Sequence, residues 1–253
     1  MRQDIMNETQ LEISVVVPVY NEAGNCGALA REIAGVLDGR RYEIIFVDDA
    51  SGDSTREELA GVMADLPALR VIGHETNAGQ SRATRTGALA AHGRVICTLD
   101  GDGQNDPVDL PAMIDHLNAN PALGLVSGRR KKRQDSAGKR IASQWANAIR
   151  RRVLRDDAAD SGSGIRAMRR DAFMRLPYFD HMHRYMPALM KREGFGVAFV
   201  DVGHRAREAG RSKYTNFGRA VAGAWDLLGV SWLIARNRNP GDAKEVHPDR
   251  RNG

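Results

Sequence analysis

The stretch V-I-C-T-L-D-G-D-G-Q-N-D-P, residues 95–107, joins a strand pattern to a cluster of acidic side chains. Its first five residues predict a buried strand, and the polar turn after them holds three carboxylates. Residues i and i+2 share one side of an extended chain, so Asp100 and Asp102 can bind one hard cation, to which Gln104 adds a neutral oxygen. A solvated Asp/Gly turn after a strand is the alternative interpretation.

Three further strand patterns precede this stretch, and a helix pattern follows each of the four strands. This alternation predicts a mostly parallel sheet covered by helices on both faces. Asn21 is the expected N-cap of the first helix, and Asp53 or Ser54 that of the second. The predicted strands are residues 11–19, 42–47, 69–73 and 95–99, and the predicted helices are residues 24–37, 55–64, 82–91 and 109–119.

Polar residues follow three of these strands, at 20–22, 48–49 and 100–102. The carboxyl ends of parallel strands meet at one edge of a sheet, where ligands bind in such folds. No G-x-G-x-x-G follows the first strand, Glu22 stands where a phosphate loop would avoid an anion, and no Walker motif is present. A nucleotide is therefore expected to be held through its base and ribose, with its diphosphate neutralised by a metal.

Basic residues are concentrated in the second half of this chain of 253 residues, whose formal net charge is +5. This placement suits an anionic partner, which could be a phosphate, a membrane surface or a nucleic acid. A solvated basic surface is the alternative for residues 131–133 and for the tail. The elements expected here are strands at 123–127 and 195–202, helices at 140–154 and 171–176, a shaped loop at 160–166 and a basic loop at 207–214.

The composition indicates a cytosolic protein. Two cysteines, Cys26 and Cys97, form no disulfide framework, and the first residues lack the apolar segment of a signal peptide. No stretch reaches the roughly 18 to 20 apolar residues of a spanning helix. Residues 221–235 include Trp225 and Trp232 and are expected either to lie in a membrane interface or to pack on the body of the protein. Residues 1–10 and 237–253 are expected to be disordered.

An ordered set of motifs, from about residue 13 to residue 236, resembles the family 2 inverting glycosyltransferases. It resembles in particular the polyprenol-phosphate glycosyltransferases of the dolichol-phosphate mannose synthase type. The first half carries P-V-Y-N-E, V-D-D-A-S-G-D-S-T, N-x-G and L-D-G-D-G-Q-N-D-P, and the second half carries S-G-R, D-S-G-S-G-I-R and R-x-x-G-x-S-K-Y. Each motif is weak alone, whereas their order is specific. The chain departs from the common D-x-D-x-x-H pattern by placing Asn105 where histidine is often found.

The resemblance implies a GT-A fold, which is a single Rossmann-like α/β domain, at residues 11–218. Residues 11–120 would form the nucleotide-sugar half, residues 121–218 the acceptor half, and residues 219–236 an amphipathic interfacial helix. It also implies that Mg²⁺ or Mn²⁺ is held by Asp100, Asp102 and Gln104. Donor contacts would come from Pro18, Tyr20, Glu22, Asp49, Asp100 and Asp102. The acceptor-phosphate pocket would be lined by Arg129, Arg140, Ser163, Arg207, Ser212 and Lys213, with Asp102, Arg129 and Arg207 as the catalytic residues.

The expected reaction is inverting transfer of a sugar from GDP-mannose or a UDP-hexose to a polyprenyl phosphate, by an enzyme peripheral to the cytoplasmic membrane face. A lipid phosphate is already an anionic nucleophile, so cations that position it replace a strong general base. A related transferase acting on a hydroxyl would instead need such a base. A basic nucleic-acid-binding module is the alternative from another class, but it leaves the acidic strand ends unexplained, so no nucleic-acid partner is expected. The nucleotide, the sugar, the choice between Mg²⁺ and Mn²⁺ and the oligomeric state stay open.

Overall fold

The computed structural model describes residues 11–130, 150, 152–154, 163–203, 205 and 216–238, with residues 216–222 described by their backbone. One seven-stranded sheet, in the order β3-β2-β1-β4-β6-β5-β7, organises this part of the chain. The strands are β1 Ile13–Val19, β2 Tyr42–Asp48, β3 Leu69–Gly73, β4 Val95–Thr98, β5 Leu123–Arg130, β6 Arg166–Arg169 and β7 Gly196–Val202. The helices are α1 Cys26–Val36, α2 Thr55–Met63, α3 Gln80–Ala90, α4 Leu110–Ala119, α5 Arg170–Met174, α6 Met186–Arg192 and α7 Asn216–Ala235.

The predicted α/β fold is confirmed. Strands β1, β2, β3 and β4 are parallel, and Val19 at the end of β1 stands opposite Asp48 at the end of β2. Two apolar cores cover the two faces of the sheet: α1, α2 and α4 pack on one face, and α3, α5, α6 and α7 on the other. Helix α3 approaches the sheet closely, since a Cβ on Gly87 would lie 2.4 Å from Val16 Cγ1. The small residues of α3 therefore fit the close packing that the sequence indicates.

Strand β6 was not predicted. It lies between β4 and β5 and is antiparallel to both. Its four residues, R-A-M-R, are too short and too polar to show the alternation typical of a strand. The expected loop at 160–166 therefore ends one residue early, because Arg166 already pairs with Thr98 of β4. This antiparallel direction brings Ser163, Gly164 and Ile165, which precede β6, to the carboxyl end of β4.

Several expected boundaries differ from the structure. Helix α1 begins at Cys26 with Asn25 as its N-cap, whereas Asn21 lies outside it with φ of 52°. Helix α3 begins two residues before the expected position, directly after Gly79, which has φ of 86°. Strand β5 continues to Arg130 instead of ending at Ser127. The expected helix at 140–154 falls mostly outside the described residues. Within that range, Arg150 and residues 152–154 are described, and they are helical.

Helix α7 packs on the body of the protein through one face. Val230 is buried, and Leu227 and Ile234 pack beside it in the second core. The opposite face leaves Trp225 and Trp232 exposed at 71% and 62% of their surfaces. None of the helices in the described part of the chain is long and apolar enough to cross a membrane.

Candidate active site

Polar side chains from three neighbouring strands meet at one edge of the sheet. The amide of Asp49, directly after β2, donates to the carbonyl of Val19 at the end of β1, over 2.9 Å. Tyr20 follows with 40% of its surface exposed, and the carboxylate of Glu22 accepts from Asn25 Nδ2 over 3.2 Å. The expected donor residues Pro18, Tyr20, Glu22 and Asp49 therefore share this edge.

The two acidic residues after β2 have different surroundings. Asp48 is fully buried and accepts from Arg56 and from the amide of Ser51. Burial alone would raise the pKa of the Asp48 carboxyl, but these hydrogen bonds and the Arg56 charge hold that pKa below its usual value. Asp48 is therefore a structural anion that fixes the turn after β2.

Asp49 orders the loop before α3. Its carboxylate accepts from the amides of Ala78 and Gly79 over 2.9 and 2.7 Å and lies 2.7 Å from His74 Nδ1. Asn77 Nδ2 donates to the Asp49 carbonyl over 3.2 Å. These contacts account for the N-x-G motif, because its Asn and its backbone amides both bind Asp49. The contribution of His74 was missed, since nothing in its sequence context marks it.

The D-G-D turn is held by its own side chains and by close packing. The Asp100 amide donates to Asn105 Oδ1, and the Gln104 amide donates to Asp102 Oδ1, each over 3.2 Å. A Cβ on Gly101 would lie 2.4 Å from Val19 Cγ1, so only glycine fits there. Asn105 is buried, with 3% of its surface exposed. Asn105, at the position where histidine is often found, therefore stabilises the turn by a hydrogen bond from a buried side chain.

Asp100 lies in a recess between the sheet and the start of α3. Gln80 Nε2 donates to its carboxylate over 2.7 Å, and Thr98, Gly164, Arg166 and His183 line the same recess. Burial, and then the neighbouring Asp102 charge, raise the pKa of Asp100 to about 6, although Arg166, Gln80 and Arg130 oppose this rise. Gln80 and Arg166 were not among the expected site residues.

The donor set at this turn fits a hard divalent cation. Two carboxylates close enough to raise a pKa are stabilised by a shared positive charge, and Mg²⁺ is commonly bound by one or two carboxylates together with substrate phosphates. Within the described ranges, no three His, Cys, Asp or Glu residues form a group that could hold a metal ion. Asp100 and Asp102 would thus supply part of a coordination shell that water and diphosphate oxygens complete.

The expected acceptor residues are only partly described. Arg129 is exposed and pairs with Asp201 on β7, its Nε 2.7 Å from Oδ1, whereas the charges of Arg130 and Arg166 act on Asp100. Ser163 is buried beside Gly128, and its Oγ has no hydrogen-bond partner among the described residues. Gln104, the third expected metal ligand, lies at the same sheet edge, where its amide donates to Asp102 and its carbonyl accepts from the Arg205 amide. The remaining expected residues, Arg140, Arg207, Ser212 and Lys213, lie outside the described residues.

Arg205 anchors the chain after β7 to the D-G-D loop. Its amide donates to the Gln104 carbonyl over 2.9 Å, and its guanidinium binds both carboxylate oxygens of Asp106 and one of Glu32. The Gly203 amide donates to Asp109 over 2.9 Å. Arg205 therefore lies beside the acidic turn.

Known proteins resemble this chain in both sequence and fold. The model of glycosyl transferase family 2 matches residues 14–176. Dodecaprenyl-phosphate galacturonate synthase of Rhizobium johnstonii is 34% identical over 237 residues, which cover 91% of this chain and 70% of that protein. Undecaprenyl-phosphate 4-deoxy-4-formamido-L-arabinose transferase of Pectobacterium carotovorum is 34% identical over 232 residues, which cover 90% of this chain and 68% of that protein.

Two solved structures extend the fold comparison. Glucosyl-3-phosphoglycerate synthase from Mycobacterium tuberculosis, in complex with Mn²⁺, UDP and phosphoglyceric acid, has a TM-score of 0.70 at 19% identity and covers 94% of this chain and 82% of that one. A mannosyltransferase from Pyrobaculum calidifontis, in complex with GDP-Man and Mn²⁺, has a TM-score of 0.66 at 19% identity and covers 91% of this chain and 66% of that one. These similarities confirm the GT-A fold. With the match over residues 14–176 and relatives at 34% identity, the chain belongs to glycosyl transferase family 2.

Proposed function

We propose that this protein moves a sugar from a nucleotide diphosphate sugar to a polyprenyl phosphate, in a metal-dependent inverting reaction. One observation supports the proposal above all. The ends of β1 and β2 lie at the same sheet edge as the D-G-D turn, and the charges of Arg130 and Arg166 act on that turn at Asp100. Carboxylates and cations at one edge suit a reaction in which a diphosphate leaves and a phosphate attacks. The relatives support the acceptor class, since their names specify dodecaprenyl and undecaprenyl phosphate.

The first half of the chain would bind the donor. Pro18, Tyr20, Glu22 and Asp49 would contact the nucleoside, because they lie at the ends of β1 and β2 beside the D-G-D turn. Asp49 already accepts three hydrogen bonds, so it would present an oriented, buried carboxylate rather than a mobile one. UDP and GDP are both compatible with these contacts.

The D-G-D turn would hold the metal through Asp100, Asp102 and Gln104. A bound Mg²⁺ or Mn²⁺ supplies positive charge to the departing diphosphate. The protein holds both residues by other contacts: Gln80 holds the Asp100 side chain, Asn105 holds the Asp100 amide, and the Gln104 amide donates to the Asp102 carboxylate. A carboxylate held in this way loses little freedom when the donor binds.

The second half would position the acceptor. A polyprenyl phosphate carries its own negative charge, so the task of the protein is to place it in line with the sugar C1, which inverts the configuration there. Arg129, Arg140, Ser163, Arg207, Ser212 and Lys213 are the proposed phosphate-binding residues, with Asp102, Arg129 and Arg207 acting at the reacting groups. Arg205 supports this assignment for the loop after β7, because it ties the start of that loop to Gln104 and Asp106.

Helix α7 would place the protein on the inner face of the cytoplasmic membrane, where it would meet the proposed lipid acceptor. Its exposed face carries Trp225, Leu228 and Trp232, and tryptophan favours the membrane–water interface. The inner face of Val230, Leu227 and Ile234 meanwhile attaches the helix to the catalytic body.

Replacing Asp102 tests the metal-dependent reaction. Transfer from UDP-galacturonate, UDP-glucose or GDP-mannose to undecaprenyl phosphate is measured with Mn²⁺ or Mg²⁺. The Asp102→Ala variant should lose at least about 100-fold in turnover with its melting temperature unchanged, because a partly exposed turn residue supports the metal rather than the fold. Asp65→Ala removes an exposed carboxylate just after α2 and serves as the control. An Asp102→Ala protein that keeps most of its activity with metal supplied would overturn the metal assignment.

A second pair of substitutions tests the acceptor class. Neutralising the proposed phosphate pocket in an Arg207→Gln, Lys213→Gln variant should reduce transfer to undecaprenyl phosphate by about 100-fold or more, because hydrogen bonds to charged groups contribute about 1.5–3 kcal/mol each. Binding of the nucleotide should change less. Unchanged lipid-phosphate transfer in this variant would count against Arg207 and Lys213 as the residues that bind the acceptor phosphate.

A further inference from the structure

The loop that carries Tyr20 and Glu22 is held by side chains of the turn after β2 and of the first turn of α2. Consecutive amides of this loop each donate to a different side-chain oxygen. The pairs are Asn21 to Ser51 over 2.8 Å, Glu22 to Thr55 over 2.9 Å, Ala23 to Asp53 over 3.3 Å and Gly24 to Glu58 over 2.6 Å. In return, the Gly52 amide donates to Asn21 Oδ1 over 2.7 Å. The loop therefore has its conformation imposed from outside.

Glu58 makes the two shortest of these contacts at the start of α1. Its Oε2 accepts from the Gly24 amide and its Oε1 from the Gly27 amide, each over 2.6 Å. Helix α1 has no side-chain cap of its own at Asn25 and no acidic residue in its first turn. Since the first amides of a helix lack partners within it, a carboxylate from α2 supplies the cap that the sequence of α1 omits.

The packing around Gly27 is matched to this carboxylate. A Cβ at Gly27 would lie 3.0 Å from Glu58 Oε1 and 3.2 Å from Val62 Cγ2. An added Cβ would therefore require the Glu58 carboxylate and Val62 to shift by a few tenths of an ångström. Glu57, the preceding residue on the same helix, is exposed and makes no such contact.

We propose that Glu58 is a positioning residue for the donor: its carboxylate occupies the anion-binding end of α1, fixes the loop of Tyr20 and Glu22, and leaves the donor diphosphate to the D-G-D turn. The inference rests on the proposed function, in that a nucleotide diphosphate binds at this edge. In dinucleotide-binding folds the helix after the first strand takes the pyrophosphate at its amino end. Here the protein fills that end with its own anion, and a second anion would be repelled from it.

The test compares Glu58→Ala and Glu58→Gln with Glu57→Ala as the matched control. Three quantities are measured: hydrogen exchange of residues 23–29, the dissociation constants of UDP and GDP with Mn²⁺, and the split between the donor KM and kcat. Glu58→Ala should exchange faster at 23–29 and bind its preferred nucleotide about tenfold more weakly, as expected from the loss of a helix cap. Its donor KM should rise while kcat stays within about twofold. Glu58→Gln, which keeps one acceptor oxygen, should lie between Glu58→Ala and wild type.

Acetate distinguishes a positioning role from a general loss of structure. Acetate at about 100 mM, compared with chloride at equal ionic strength, should slow exchange at residues 23–29 and restore nucleotide binding in Glu58→Ala alone, because it can occupy the vacated end of α1. No acetate-specific effect, or the same effect in Glu57→Ala, would overturn the capping role. Faster exchange with unchanged nucleotide affinity would overturn the positioning role. If wild type binds neither UDP nor GDP, the proposed function fails, and exchange with acetate still decides whether Glu58 caps α1.

Discussion

Replacing Gly164 by alanine should separate catalysis from folding, because of where a new methyl group would lie. Gly164 directly precedes Ile165 and β6, and its carbonyl accepts from Thr98 Oγ1 over 2.9 Å. A Cβ at Gly164 would lie 2.1 Å from Oδ2 and 2.4 Å from Oδ1 of Asp100. The substitution therefore displaces Asp100, a proposed metal ligand, without changing its carboxylate group.

The size of the displacement sets the expected effect. Ordinary contacts between such atoms begin at 3.4 Å, so the Asp100 carboxylate must move by about 1 Å. Its movement breaks the 2.7 Å hydrogen bond from Gln80. A misplacement of about 1 Å at a reacting group can cost on the order of 100-fold in rate. The carboxylate is the end of a flexible side chain, so the cost in folding free energy should stay near the lower end of the roughly 1–3 kcal/mol range for overpacking.

Two assays on the same preparations read these effects. Thermal unfolding without ligand should show a decrease in melting temperature of about 2–4 °C for a loss of about 1 kcal/mol. Sugar transfer with Mn²⁺ and undecaprenyl phosphate should fall by about 100-fold, and Mn²⁺-dependent nucleotide binding should weaken. Gly203→Ala is the control, because its Cβ would meet nothing nearer than Asp106 Cβ at 3.6 Å although it lies at the same edge.

Either of two results would refute this reasoning. If Gly164→Ala retains activity within about twofold of wild type, the position of the Asp100 carboxylate is not critical. If activity is lost together with cooperative unfolding, the substitution acts through the fold. A loss of transfer in the Gly203→Ala control would show that any added methyl at this edge is harmful.

Three other experiments test separate parts of the structure. In Glu43→Gln the unfolding free energy at pH 7 should fall by about 2 kcal/mol, because a buried carboxylate loses its charge-assisted bonds with Arg70, Ser14 and the His92 amide. Burial alone would raise the Glu43 pKa, but those bonds hold it below its usual value. The difference in unfolding free energy between wild type and variant should therefore be complete above the unfolded pKa of about 4.5 and vanish as the pH falls through the lower folded pKa. A difference that is unchanged at pH 2 would contradict this. Arg205→Met should raise the donor KM while changing the unfolding free energy by less than about 1 kcal/mol. Arg40→Met removes a similar surface ion pair far from the site and should leave the donor KM unchanged. Equal effects of the two substitutions on the donor KM would count against Arg205 as the anchor of the D-G-D loop. Trp225→Ser with Trp232→Ser should weaken binding to anionic vesicles at least tenfold at an unchanged melting temperature, and undiminished sedimentation with vesicles would exclude α7 as the membrane contact.

The first half of the fold could be predicted from the sequence because each of its elements carries a local signal. Strands β1 and β2 are apolar and β-branched along their length, and each is followed by a helix of ordinary spacing. Strand β6 carries no such signal, since two of its four residues are arginines. Its place is determined by pairing with β4 and β5 on both sides, and pairing between distant segments leaves no local pattern.

The candidate site divides in the same way. Asp49, Asp100 and Asp102 could be proposed from the sequence because they lie in polar turns that follow strands. Gln80 and Arg166 could not, because what brings them to Asp100 is the start of α3 and the unpredicted β6. The S-G-R motif pointed to Arg129, which pairs with Asp201, and the structure adds its neighbour Arg130, whose charge acts on Asp100. Consecutive residues of a strand face opposite sides, so the motif alone does not show that Arg130 also acts at this edge.

The reversed direction of β6 explains how one sheet edge collects residues from both halves of the chain. Strands β1, β2 and β4 are parallel, so their carboxyl ends share an edge. Because β6 is antiparallel to β4 and β5 is antiparallel to β6, β5 again runs parallel to β4, and β7 runs parallel to β5. The carboxyl ends of β5 and β7, carrying Arg130 and the chain to Arg205, and the amino end of β6, carrying Ser163 and Gly164, therefore reach the edge of the D-G-D turn. A sheet with β6 parallel would send Gly164 to the opposite edge, away from Asp100, and the acidic and basic halves would not form one site.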